Sequence, residues 1–377
     1  MFGKGISLFT LAGFTVKVDL SWVFIALLVA WSLAQGYFPE TYEGLQVSTY
    51  WWMGVVALIG LFMSIVLHEL AHSVVARRFG LPIEGITLFI FGGVAQMEQE
   101  PAEPKAELYM AIAGPIASLV LAGLFLGLSS LITAFGGPQP VYGIARYLGL
   151  LNGVLALFNL VPAFPLDGGR VLRALLWWRT GDFRRATLWA VRAGDAFGIA
   201  LMVLGVLALL GGGLIMGLWW FLLGMFLRGA AMGSQQQVLL RHVLEGEPIR
   251  RHMNDKPISV DPATSLQALV DDYVYRYHHP MFPVVQDGRL MGYVSTEEAK
   301  TVARENWDRA TVADVMITVS ETNAIDAGAD SMDALRVMQK HNRSRLLVTE
   351  HGDLVGVVAL KDLMKMFAIK LDLEGQA

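Results

Sequence analysis

Long apolar runs fill the first two thirds of the chain and are missing from the last third. Those suited to helix fall at 20–34, 50–76, 108–133, 142–161, 188–210 and 214–227. Most approach the roughly 20 residues a helix needs to cross hydrocarbon, the last being short. The pattern predicts about six transmembrane helices. Residues 5–19 alternate loosely around Gly13 and predict a hairpin at the membrane surface. Ser32-Leu33-Ala34 faintly matches a signal-peptidase site, yet the apolar stretch starts late with a thin basic flank, so a retained first helix is expected. Residues 171–178 are too short to span and are expected near the surface. Between the second and third runs, 86–96 is rich in strand formers, with Gly92 and Gly93 as a turn. That segment reads either as a re-entrant hairpin covered by protein or as an anchored surface loop.

Hydrophobicity falls after residue 228. Residues 229–248 read as a linker plus a short helix, and an internal repeat follows. The stretch from Phe282 to Ser295 matches that from Leu346 to Ala359: strand, Asp287-Gly288 or His351-Gly352 turn, strand. Gly292 and Gly356 occupy equivalent positions, 64 residues apart. Amphipathic segments precede each copy, at 265–277 and 331–341. The expected division is a membrane domain over 1–228, a linker over 229–248, and repeats over 249–310 and 311–370.

Composition agrees with this division. Of 377 residues 54% are hydrophobic and 16% charged, beyond ordinary globular usage. A net charge of −4 gives no basic field for nucleic acid. The absence of cysteine excludes disulfides, thiolate metal sites and cysteine nucleophiles. Any metal must be held by His, Asp or Glu. Of eight histidines, only His68 and His72 lie in the membrane part; the other six lack metal-ligand spacing among themselves.

His68 and His72 stand four apart within the second apolar run, with Glu69 beside them. On a helix they project from one face, where two imidazoles can grip one metal ion and Glu69 can handle a proton. Ionisable groups are costly in hydrocarbon and are kept there for function. The bland alternative is a pair of core histidines with Glu69 as counter-ion. A further ligand is offered by Asn159-Leu160-Val161-Pro162-Ala163-Phe164-Pro165-Leu166-Asp167-Gly168-Gly169. Its prolines end the fourth helix and its glycines allow close backbone approach. Asp167 then lies at about the depth of His68, which is on the order of 14 Å from Arg77 along the helix. Alone, Asp167 reads as a turn residue; with both histidines, it completes a two-His, one-carboxylate site with a fourth position for water.

The His68-Glu69-Leu70-Ala71-His72 motif together with Asn159-x-x-Pro162-x-x-Pro165-Leu166-Asp167-Gly168 resembles the site-2 protease family of intramembrane zinc metalloproteases, over residues 1 to about 230. The resemblance implies one zinc per chain on His68, His72 and Asp167, with Glu69 as catalytic base and Asn159 as a polar group near the scissile carbonyl. Gly114-Pro115-Ile116-Ala117-Ser118 is similar to a further landmark beside the family's site. Phe91, Gly92 and Gly93 match its re-entrant, substrate-contacting strand element. The implied substrates are single-span membrane proteins within the lipid bilayer, cut in regulated intramembrane proteolysis.

The repeated module resembles a pair of cystathionine-β-synthase-type (CBS) domains of α/β fold, which implies a homodimer contact and adenine nucleotide binding. Asp362 follows Gly356 at the ribose-contacting spacing, whereas Glu298 replaces the aspartate after Gly292. The hydroxyl residue is Ser295 in the first copy and Ala359 in the second, so at most one good site is expected. A purely structural or dimerising module is the alternative. Lys and Arg gather on the loops sharing the side of the N-terminus (Arg77, Arg78, Lys105, Arg170, Arg173 and others), against Arg146 alone opposite. The N-terminus and the CBS pair are therefore expected in the cytosol, and the protein in the cell membrane as a multi-pass chain. Two rival readings stand beside the protease: a CBS-gated transporter or channel with a His/Glu cation site, and a catalytically dead scaffold.

Overall fold

The computed structural model describes residues 6–81, 83–89, 92–97 and 101–373. The chain forms two compact units, Met1–Gln236 and Gln237–Ala377.

In the first unit, six helices are long and apolar enough to cross a membrane. Asp19 caps the first of them: its Oδ1 accepts from the Ser21 amide at 2.9 Å. That span joins α1 (Leu20–Ser32), a π-helical turn and short α2 (Phe38–Thr41). The others are α3 (Val47–Arg78), α4 (Pro104–Ala134), α5 (Gln139–Asn159), α7 (Phe183–Leu210) and α8 (Leu214–Leu244). Between α5 and α7 lies α6 (Asp167–Thr180), at about 21 Å too short to span. Large apolar side chains such as Leu27, Leu124 and Leu157 face outward, as expected of helices solvated by lipid. Helices α7 and α8 approach through paired glycines: a Cβ on Gly198 would meet the Gly224 carbonyl at 2.8 Å, and one on Gly205 the Gly217 carbonyl at 2.7 Å.

Helix α8 runs on to Leu244, so most of the stretch read as a linker is helical. Its polar run Ser234-Gln235-Gln236-Gln237 lowers hydrophobicity without a Gly or Pro that would stop a helix. Hydropathy marks where a span ends, not where its helix ends.

The first unit also holds a four-stranded sheet in the order β1 (Ile6–Leu11), β2 (Phe14–Val18), β3 (Ile83–Phe89), β4 (Gly92–Met97). The predicted N-terminal hairpin is β1–β2, turning at Ala12 and Gly13, both left-handed. Strand β2 pairs in parallel with β3, from Thr15 opposite Gly85 to Val18 opposite Leu88. Gly85 is required there, because a Cβ would lie 2.5 Å from the Thr15 carbonyl oxygen. Phe14, Val16, Val18 and Leu88 are buried, and Val66 of α3 packs with the last three. Arg77, at the end of α3, places its guanidinium 3.8 Å from the Phe14 ring centroid and donates to the Ala12 carbonyl at 3.1 Å. The expected Gly92–Gly93 turn is corrected: both glycines lie within β4, opposite Phe89 and Leu88. A glycine pair suits a tight turn, but the ladder register puts these two in the strand. Phe91 lies outside the described residues.

The second unit contains two three-stranded sheets, β5 (Met281–Gln286), β6 (Arg289–Ser295), β7 (Ile317–Thr318), and β8 (Ala324–Asp326), β9 (Arg345–Glu350), β10 (Asp353–Ala359). The predicted strand–turn–strand copies are β5–β6 and β9–β10, with left-handed residues at Asp287-Gly288 and His351-Gly352. The repeated glycines have one physical role. A Cβ on Gly292 would meet the Ile317 carbonyl at 2.1 Å, and one on Gly356 the Asn254 carbonyl at 2.7 Å. Each admits a crossing segment, and the two repeats exchange them. Asn254 bridges to Val357 in the second copy, while β7, leading into the second copy, pairs with β6 of the first. Leu244 and Ile249 accordingly sit in the core with Leu335, Leu346 and Val358.

Candidate functional site

The site is built where α3, α4 and α6 meet. His68 and His72 lie one turn apart on α3, both buried, with Nε2 atoms 3.2 Å apart. Asp167 is the first residue of α6, where unpaired amides and the helix dipole favour a carboxylate. Its Oδ2 lies 3.1 Å from His68 Nε2 and 3.2 Å from His72 Nε2. The turn that delivers it is packed backbone to backbone: a Cβ on Gly168 would lie 2.3 Å from the Leu160 carbonyl, and one on Gly194 of α7 2.0 Å from the Phe164 carbonyl.

The protons show what this triangle is for. His72 Nδ1 donates to the Met110 carbonyl at 2.7 Å, and that oxygen can only accept. A neutral His72 therefore turns a bare lone pair on Nε2 toward the triangle. His68 Nδ1 is 2.9 Å from Ser118 Oγ, a hydroxyl that can accept from the ring or donate to it. The Nε2 atoms of both imidazoles and one carboxylate oxygen thus converge on one point. The three edges of 3.1–3.2 Å are near the roughly 3.3 Å expected between ligands about 2.05 Å from a tetrahedral zinc. Among the described residues these three form the one group of His, Asp or Glu able to hold a metal.

Helix α4 leaves room for such an ion at Gly114. A Cβ built there would lie 2.1 Å from His72 Nε2 and 2.6 Å from His68 Nε2, in the space the three ligand atoms face. The next residue, Pro115, cannot donate to the Ala111 carbonyl, so the helix is loosened where the histidines bear on it. Glu69 is half-buried, and its carboxylate makes no hydrogen bond among the described residues. Asn159, the last residue of α5, is half-buried, and its side-chain amide makes no hydrogen bond among the described residues.

The family model described as Peptidase family M50 matches residues 56–205. A Mycobacterium tuberculosis protein named as a zinc metalloprotease, Rip3, is 34% identical over 362 residues, spanning 95% of this chain and 92% of that one. The chain belongs to peptidase family M50. Zinc metalloprotease MJ0392 of Methanocaldococcus jannaschii is 29% identical over 97% of this chain and 96% of its own. A solved site-2 protease from the same organism is 30% identical, with a TM-score of 0.44, covering 61% of this chain and 95% of that one. The CBS domain model matches 249–303 and 312–369, so this M50 peptidase carries a CBS pair.

In the CBS unit of this M50 peptidase, a pair of cavities share Met281 and Arg345 in their linings. The larger, about 180 Å³, includes Ser295, but Ser295 and Glu298 are bound to each other in a helix-capping box. The Ser295 amide donates to Glu298 Oε2 at 2.9 Å, and the serine hydroxyl bonds the same oxygen. Asp362 lines the other cavity, about 80 Å³, with Lys361, Asn254 and His279. The two sequence-chosen nucleotide residues therefore face different cavities.

Two features of the M50 site escape a reading of the sequence. The Met110 carbonyl that orients His72 is backbone and has no letter. Arg173, which reads as a loop charge, forms an ion pair with Glu107 between α6 and α4, the two 3% and 0% exposed.

Proposed function

We propose that this M50 peptidase is an intramembrane zinc endopeptidase that hydrolyses peptide bonds in or near transmembrane segments of single-span proteins. The observation that carries the proposal is the convergence of His68, His72 and Asp167, held among membrane-length helices. One zinc bound there supplies a Lewis acid beside which water ionises near neutral pH. Glu69, free of hydrogen bonds and adjacent to the ligands, takes the proton from that water and passes it to the leaving amine. The Asn159 amide steadies charge at the scissile carbonyl.

The substrate must present extended backbone to be cut. Among the described residues strand β4 has no strand partner beyond β3, an edge suited to strand addition, with Gly92 and Gly93 at its start. We read β3–β4 as the re-entrant, substrate-clamping hairpin. The chain sits in the cell membrane with its N-terminus and CBS pair in the cytosol, as its basic loops argue. It serves regulated intramembrane proteolysis, with the CBS pair as a modulating and dimerising module.

The test is reconstitution in liposomes with a single-span substrate. We expect about one zinc per chain, loss of cleavage on chelation, and recovery with added zinc. Undiminished cleavage after the metal is stripped would overturn the reading.

An adenine nucleotide is assigned to the Asp362 cavity, because Ser295 is already committed to Glu298. In a titration with a fluorescent ATP analogue, Asp362→Ala is expected to weaken binding about tenfold or more, while Ser295→Ala leaves it unchanged. The opposite pattern would move the ligand to the larger cavity.

A further inference from the structure

Glu107 and Arg173 are fully desolvated charges that the proposed chemistry does not use. Arg173 directs both Nε, at 2.6 Å, and Nη2 onto Glu107 Oε1. Its guanidinium carbon also lies 5.0 Å from the ring centroid of Phe164 and 4.8 Å from that of Phe183. One side chain on α6 thereby grips α4, the loop that delivers Asp167, and the start of α7. Stability is a poor reason to keep such a pair, since well-packed apolar residues in place of buried charges are often neutral or stabilising. What the pair does provide is a fixed separation of two helices. Glu107 is three residues before Met110, whose carbonyl orients His72, and Arg173 is six residues after Asp167. The planar fork of arginine fixes direction as well as distance.

We propose that Glu107 and Arg173 are positioning residues for the metal centre: their pair sets how α6 presents Asp167 against the His72–Met110 arm of α4. The proposal rests on the zinc reading above. It deepens that reading by naming what holds the ligand triangle at its spacing.

The experiment measures zinc affinity by chelator competition, the visible spectrum of the cobalt-substituted protein, and melting of the metal-free protein in detergent. It uses the full chain, Arg173→Lys, and the double variant Glu107→Leu/Arg173→Met, which removes both charges of the pair together. In the double variant we expect zinc affinity to fall about 10–100-fold, the range seen when a group supporting a metal ligand is lost. Its cobalt spectrum should shift, while the metal-free protein melts no lower than wild type. Arg173→Lys keeps the charge without the fork and should lose about tenfold with little change in melting. If the double variant fails to fold, the lysine variant decides by the same two readouts. Wild-type affinity and an unshifted spectrum in a folded variant would overturn the proposal, leaving the pair a packing element. A wild-type chain that binds no zinc would overturn the metal reading and this one with it, so the two failures are told apart by the control.

Discussion

Glu69→Gln is expected to keep its zinc and lose roughly two to four orders of magnitude in cleavage rate, the usual contribution of a positioned general base. The ligand triangle consists of His68, His72 and Asp167, and Glu69 is not one of its corners. Its carboxylate is free of hydrogen bonds among the described residues, so a glutamine of the same shape disturbs no neighbour that the structure identifies. The amide cannot accept the proton from water, and that is the function removed. Metal content and turnover measured on the same preparation separate the two effects. Cleavage within tenfold of wild type would mean that another group takes the proton, and the assignment of Glu69 would fall.

Gly114→Ala should do the reverse: lose the metal and keep the fold. An alanine methyl at this position would lie 2.1 Å from His72 Nε2, where no carbon can stay. The histidine is held from behind by the Met110 carbonyl on the same helix as Gly114, so it has little freedom to retreat. Zinc content is expected to fall to about a tenth or less, in line with losses on disturbing a ligand's support. Elsewhere in a helix the same change favours folding by about 0.5–1 kcal/mol, because alanine surrenders less backbone entropy than glycine. A protein that stays folded, its metal-free melting lowered only by the modest cost of overpacking, yet takes up little zinc, is the signature sought. Full zinc occupancy in Gly114→Ala would place the ion elsewhere.

The clustering of His68, His72 and Asp167 was legible because its information is local. The spacing of His68 and His72 projects both from one helical face, and the break at Pro162 and Pro165 marks where Asp167 must stop. The six spans were legible for the same reason, since hydropathy is read within a window. Information shared between distant segments was not. Nothing in either hairpin alone announces that Thr15 will lie beside Gly85. Gly92 and Gly93 were read as a turn because turns favour glycine, but register is a property of the pair of strands. Arg173 was counted among the basic loop residues that set orientation; its burial against Glu107 depends on packing across 66 positions of sequence. The exchange of segments between the CBS repeats was hidden likewise, although its mark, glycine at 292 and 356, was in plain view.

The parallel pairing of β2 with β3 also acts as a parity rule. Between Val18 and Ile83 the chain passes through the first two membrane-length helices and returns to the same sheet. A strand cannot bond to one stranded across a bilayer, so the number of crossings between them must be even. The first two helices therefore enter and leave as a couple, whichever face of the membrane the sheet occupies. Topology at this end of the molecule is written in backbone hydrogen bonds and does not depend on counting lysines and arginines. The closed sheet thus ties both ends of the first helix pair to one place.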